Sequence, residues 1–260
     1  MPRICPIWSQ PGTRRAQSPA EPGIHDRVVP VGVFPLETSP GTLLVVQRIE
    51  AGSLRGRTLL SLPRGVPGLR PTGARVRGAI FDRLQQAVEQ TRVLDLFAGS
   101  GALSLEALSR GAHEVTLLEV DPRVVRHLRR QLAVLGLADR ATVVRADALA
   151  WVRAGRGPAA PYDLVFVDPP FAMPHVFEPL ARDLCEGGWL APDAWVVCER
   201  ERCRGKSPVI AWPAALTLER SRDYGQARLE LLRHDRSRPS SSLPSPSSLP
   251  SPSSPPGDSL

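Results

Sequence analysis

The chain has 260 residues, 42% of them hydrophobic and only 5% aromatic, enough for one sizeable core packed by aliphatic side chains and alanine. Its net charge of +7 favours polyanions as partners, nucleic acid before anionic membrane, although arginine-rich coding with Lys206 as the single lysine is also what a GC-rich genome produces. No apolar run reaches the roughly 18 residues of a membrane span, and the first residues, MPRICPIWSQPGTRR, contain no apolar secretory core.

The first forty or so residues are rich in Pro and Gly and lack periodicity. Residues 1–44 are therefore expected to be a disordered extension, and the ordered pattern suggests a translation start near Val45 or Val46. VVQRIEAGSLRGRTLLSL reads as a small β-hairpin with an arginine-rich turn, giving a basic arm over residues 45–69. RPTGARVRGAIFDRLQQAVE reads as a loop and then a helix with Val76, Ile80, Phe81 and Leu84 on its apolar side.

Strands and helices then alternate over residues 70–235. RVLDLF is a short buried strand, followed by a glycine turn and the helix ALSLEALSR, which Gly111 ends. EVTLLEV is a second strand. Asp121 caps the next helix, with Pro122 at its first position, Val124, Leu128, Leu132 and Leu135 on one face, and Gly136 as its stop. ATVVRAD, YDLVFVD and WVVCER are further strands, and LTLERS and ARLELLRH form a terminal hairpin through RDYGQ, whose Tyr224 and Gly225 are expected at a plain tip. Such alternation predicts an α/β fold with a mostly parallel sheet and helices on both faces. Residues 236–260 are low-complexity Pro/Ser sequence and are expected to be disordered.

LDLFAGSGALSLEAL places Gly99 and Gly101 between a strand and a helix, where glycine permits a tight turn and close approach of a ligand to the backbone. Glu119 ends the following strand about twenty residues on, where an acid can hold ribose hydroxyls. A purely structural turn is the alternative. Two ligand classes fit this half: a dinucleotide, which usually needs a third glycine where Ser104 stands, and S-adenosylmethionine, which has no phosphate. Asp147 is placed for an adenine amino group or as a helix N-cap. Asp95, inside the first strand, either lies near the methionine end or braces the glycine loop.

In DLVFVDPPF a buried strand stops on Asp168. Pro170 holds Pro169 extended, so the Pro169 carbonyl and the Asp168 carboxylate offer two acceptors at one spot, with the Phe171 ring alongside. An exocyclic amine of a nucleobase presents two N–H donors and a flat ring. Acceptors on both N–H groups localise the amine lone pair, and a carboxylate stabilises charge developing on nitrogen. A plain Asp-Pro turn is the competing reading.

AGSLRGR, GLRPTGARVRGAIFDRL, LDLFAGSGALSLEALSRGA, FVDPPF and GGWL together resemble the bacterial 16S rRNA guanine-N2 methyltransferases, a Rossmann-like class I family dependent on S-adenosylmethionine. The resemblance runs from about Arg48 to about Arg233. It implies a seven-stranded sheet with an antiparallel C-terminal hairpin, and methylation of one guanine of 16S rRNA, free or in a small-subunit particle. It implies that Asp168, Pro169, Pro170 and Phe171 hold the target base. The cofactor would be held by Asp95, Ala98, Gly99, Gly101, Glu119, Asp147 and Ala148. Two departures stand out: Gly78 follows R-V-R where family members usually carry an acid, and Ser104 takes a position often occupied by glycine.

Arg55, Arg57, Arg70, Arg75 and Arg77 are candidates to grip rRNA phosphates, with a solvated basic face as the alternative. Arg126, Arg129 and Arg130 are expected to be only solvated. Cys5, Cys185, Cys198 and Cys203 show no C-x-x-C pair and no histidine at metal spacing, so free thiols, no metal and a cytoplasmic monomer are expected. Rival readings are a DNA adenine or cytosine amino-methyltransferase, a nicotinamide-dependent oxidoreductase and a non-catalytic RNA-binding assembly factor. The first lacks room for a DNA-recognition region between Gly101 and Asp168, and the second leaves Asp-Pro-Pro-Phe unexplained.

Overall fold

The structure is a computed structural model and describes residues 47–63, 65, 73–155, 160–202, 209–235 and 237. The expected extension at residues 1–44, the tail beyond 237, Cys5, Cys203, Lys206 and Arg70 lie outside the described residues.

The elements in chain order are α1 (Ala74–Leu84), β1 (Arg92–Asp95), α2 (Ala102–Ser109), β2 (Glu114–Glu119), α3 (Pro122–Leu135), β3 (Ala141–Arg145), α4 (Ala148–Arg153), β4 (Tyr162–Val167), α5 (Phe177–Glu186), β5 (Leu190–Glu201), β6 (Leu216–Tyr224) and β7 (Ala227–His234). They build one seven-stranded sheet in the order β3-β2-β1-β4-β5-β7-β6. The first five strands of that order run parallel, and β7 pairs antiparallel with both β5 and β6. The chain reverses its direction of travel across the sheet between β1 and β4, both of which are central. A crevice opens there at the carboxyl ends of the strands.

Helices cover both faces, as alternating strands and helices require. Val76, Ile80 and Phe81 of α1, Leu105 and Leu108 of α2, and Leu128 and Leu132 of α3 pack on one face in a single core. Val152 of α4 and Phe177, Leu180 and Leu184 of α5 pack on the other. Each such side chain, fully buried, contributes about 1.5–3 kcal/mol. The expected signals of α3 are present. The Asp121 carboxylate accepts the N–H of Arg123 at 2.7 Å, Pro122 stands at the first turn, and Gly136 adopts φ +69° after the last.

The N-terminal arm differs in its detail from a regular hairpin. Arg48 and Thr58 form a lone antiparallel bridge among the described residues, and the arm is held chiefly by α2. The Glu106 carboxylate accepts the N–H groups of Glu50 (2.8 Å) and Ala51 (2.9 Å). Ser109 accepts from Ser53 through its carbonyl and from Leu54 through its hydroxyl. At Gly52 a Cβ would stand 1.9 Å from the Ser109 carbonyl oxygen, so the arm lies closer to α2 than any side chain permits. Ile49 and Leu59 are buried in the α1–α3 core, so arm and sheet share one interior.

Candidate active site

The carboxyl ends of β1, β2 and β4 and the loops that follow them enclose a cavity of about 690 Å³. The loop after β1 turns through Gly99 (φ +50°) and Gly101 (φ +76°). At Gly101 φ is left-handed, and a Cβ would also push against Leu128 of α3 at 2.8 Å, so a side chain there would be strained. Glu119, at the end of β2, accepts the N–H of Gly99 at 3.2 Å and of Asp121 at 2.9 Å. These bonds hold its carboxylate at the cavity wall. Ala98, Gly99, Glu119, Asp147 and Ala148 all line that wall. Gly101 shapes the turn from behind it. Asp147 also accepts the N–H of Ala150 at 2.9 Å, so it caps α4 from an exposed position while lining the cavity.

Asp95 is 1% exposed, braces the glycine loop and also lines the cavity. Its Oδ2 accepts the Ser104 hydroxyl at 2.7 Å, which ties β1 to α2 beneath the glycine loop. Its Oδ1 is buried with no hydrogen-bond partner among the described residues, while the Phe97 N–H also lies near the carboxyl. Burial, and after it the charges of Asp168 and Glu119, push its carboxyl up to about 7 despite the Ser104 hydrogen bond. The departure at Ser104 thus has a function in the fold: the residue is fully buried and donates to a carboxylate that is itself out of reach of solvent.

Asp168 follows β4 directly. With Pro169, Pro170 and Phe171 it forms the opposite wall of the same cavity, so the base-holding and cofactor-holding residues expected from sequence face one space. Three further residues join them there. Glu199 lies in β5, and Tyr224 and Gln226 flank the tip between β6 and β7. The tip is a tight hairpin turn, as expected from RDYGQ, and it also borders the cavity. A charged residue inside the buried run WVVCER is the sequence signal that points to Glu199.

Among the lining residues are six carboxylates, Asp95, Glu119, Asp121, Asp147, Asp168 and Glu199, and no lysine or arginine among the described residues. In a chain of net charge +7 this is a marked local reversal. It disfavours a pyrophosphate and favours a ligand carrying positive charge.

The arginines divide. Arg55, Arg57 and Arg75 are exposed. Arg77 is only 2% exposed and belongs to the core, contrary to its expected place among the phosphate-gripping residues. Its guanidinium donates to the Glu50 carboxylate at 2.8 Å and to the Arg48 carbonyl at 3.0 Å, clamping the arm to α1. A Cβ on Gly78 would stand 3.4 Å from Glu50 Oε2. Glu50, from the arm, thus lies beside the position after R-V-R where an acid is expected. Arg126 is exposed, whereas Arg129 is partly buried and donates to the Val143 carbonyl at 3.1 Å.

Cys185 and Cys198 are free thiols. Among the described residues no cluster of three or more His, Cys, Asp or Glu side chains is placed to hold a metal ion, and no helix is long and apolar enough to cross a membrane.

Comparison with known proteins agrees with this architecture. The family described as conserved hypothetical protein 95 matches residues 47–233. The ribosomal RNA small subunit methyltransferase D of Escherichia coli strain K12 is 41% identical over 188 residues, which cover 72% of this chain and 90% of that protein. The solved structure of Escherichia coli yhhF, 40% identical, superposes with a TM-score of 0.62 over 73% of this chain and 98% of that one. An RNA methyltransferase of Salinibacter ruber, solved with S-adenosyl-L-homocysteine, shares the fold at 18% identity and a TM-score of 0.50, over 65% of this chain and 97% of its own. The chain therefore belongs to the conserved hypothetical protein 95 family and is a relative of the small-subunit ribosomal RNA methyltransferase D proteins.

Proposed function

We propose that this protein transfers a methyl group from S-adenosylmethionine to the exocyclic N2 amine of a guanine in small-subunit rRNA. The observation that carries this reading is the single cavity lined by six carboxylates and by Asp168-Pro169-Pro170-Phe171. The acidic wall suits a cofactor bearing a sulfonium and an ammonium group, and the buried, unpartnered Oδ1 of Asp95 supplies an acceptor for the latter. Glu119 suits the ribose hydroxyls and Asp147 the adenine amino group. The kinship with small-subunit rRNA methyltransferases supports the choice of substrate.

When bound, S-adenosylmethionine supplies a methyl group whose bond to sulfur breaks as the amine lone pair forms the new N–C bond, leaving S-adenosylhomocysteine and one amine proton to be shed. The protein's own part is positional and electrostatic. Asp168 and the Pro169 carbonyl accept the two N–H groups, turning the lone pair out of conjugation with the ring and toward the methyl group. The Asp168 carboxylate opposes the charge that grows on nitrogen. Phe171 stacks on the base, which must leave its own stack to enter.

The test is a series at position 168. Asp168→Ala should slow methyl transfer by about 10²–10³-fold, the usual scale for a deleted electrostatic partner. Asp168→Asn should lie between the two, because it keeps an acceptor oxygen without the charge. Cofactor affinity measured by calorimetry should change little in either. An Asp168→Ala protein that folds and turns over at the wild-type rate would remove this role.

A further inference from the structure

Val167 and Cys198 are the last paired positions of β4 and β5, so Asp168 and Glu199 come next to each other in register. Both lie on the face that carries Phe166 and Val197, because alternate residues of a strand share a face. Glu199 is 8% exposed, lines the cavity beside Asp168, and has its Oε2 buried without a hydrogen-bond partner among the described residues. A buried carboxylate with an open oxygen is costly unless something completes it. Arg200, next along the strand, does not do so: successive residues of a strand point to opposite faces, and Arg200 pairs with Glu230 at 2.9 Å. A donor entering the cavity beside Asp168 would be in place to complete it.

We propose that Glu199 reads the Watson–Crick edge of the target base by accepting its ring N1–H, and so selects guanine; this rests on the reading that the substrate amine is guanine N2. Guanine is the base whose exocyclic amine has a protonated ring nitrogen beside it. Two neighbouring carboxylates accept from two neighbouring donors, Asp168 from N2–H and Glu199 from N1–H. Adenine and cytosine present an amine beside a bare ring nitrogen, and its lone pair would face the lone pairs of Glu199. Rejection is therefore built into the same contact that rewards guanine. Glu199 titrates at about 8, raised first by burial and then by the charge of Asp168. Positive charge brought by the cofactor favours its ionised, accepting form.

The experiment uses rRNA fragments spanning the guanine that the wild-type protein methylates, ligated from synthetic pieces and assembled into particles if the protein requires them. One fragment carries guanine at that position and the other 2-aminopurine, which keeps the amine but has a bare N1. The wild-type protein should prefer guanine in single-turnover rate by about 10²-fold or more, as expected where a site built to bind a donor meets an analogue lacking it. Glu199→Leu should lose most of that preference by slowing on guanine while its rate on 2-aminopurine holds or rises. The absent O6 of 2-aminopurine affects both proteins alike and cancels in the comparison. Glu199→Gln, nearly isosteric, guards against a misfolded leucine variant, since its amide can turn to donate to the bare N1 and should raise the relative rate on 2-aminopurine. Equal slowing on both bases, or no slowing in either variant, would overturn the role of Glu199 while leaving guanine-N2 methylation standing. A wild-type product other than N2-methylguanosine would instead remove the underlying reading, and the inference with it.

Discussion

Glu119 holds the glycine loop to the end of β2: its two oxygens accept the N–H groups of Gly99 and Asp121, and in the proposed function each keeps a lone pair for a ribose hydroxyl. Glu119→Ala should therefore weaken S-adenosylmethionine binding by about tenfold or more, roughly 1.5–3 kcal/mol, when measured by calorimetry. NADH should give no binding heat, since its pyrophosphate would meet the acidic wall; tight NADH binding would favour a hydride-transfer enzyme. The same wall predicts a pH dependence. Asp95 and Glu199 titrate at about 7 and about 8 in the folded protein, well above their ordinary values of 3.8 and 4.5. The folded state thus holds protons that the unfolded chain has already released. Their contribution to stability is complete below about pH 4 and is lost as pH rises through 7 and 8. The melting temperature of the cofactor-free protein should fall between about pH 4 and pH 8, and Glu199→Gln should flatten that fall. A melting temperature equally steep in the variant would mean that Glu199 does not carry the titration.

At the scale of elements, the glycine loop, α1, α3, all seven strands and the Asp-Pro-Pro-Phe wall are legible in the sequence because each has a local cause: strand periodicity, a cap, a glycine stop, or a proline pair. The helices α4 and α5 are harder to read. The first is only Ala148–Arg153, too short for a periodic signal, whereas the Phe177, Leu180, Ala181 and Leu184 spacing of α5 lies behind two prolines at 169 and 170. Nothing in R-V-R distinguishes a phosphate ligand from a clamp at Arg77; only the partner, Glu50, twenty-seven positions away, decides it. Gln226 escapes a sequence reading for the same reason, and Glu199 shows in sequence only as a charge inside a buried run, since their nearness to Asp168 depends on the order β4-β5-β7. The arm makes a two-sided prediction. Arg55→Ala, Arg57→Ala and Arg75→Ala combined should lower RNA affinity and flatten its salt dependence by about one unit of slope for each phosphate no longer neutralised, leaving the melting temperature near wild type. Arg77→Ala should lower the melting temperature, because it leaves the arm unclamped and Glu50 without its guanidinium. An unchanged salt slope in the triple variant would identify those arginines as a solvated face.

For the whole molecule, charge and cavity are arranged in opposition. The chain carries +7 overall, yet its cavity is lined by carboxylates. In the proposed function, phosphate contacts draw the polyanion, while the acidic cavity admits a cationic cofactor and an uncharged base rich in donors. A chain trimmed to residues 45–236 retains every element from α1 to β7 and should keep the fold and full methyl transfer. Loss of transfer with an intact far-ultraviolet spectrum would assign substrate binding to a terminus. The most direct measurement is chemical. Small-subunit rRNA and small-subunit particles from cells lacking this protein are incubated with it and with methyl-labelled S-adenosylmethionine, then digested to nucleosides and resolved by mass spectrometry. The proposed function predicts label in N2-methylguanosine at a single position. Label in N6-methyladenosine or N4-methylcytidine, or protein that binds the rRNA tightly without transferring label to either substrate, would contradict it.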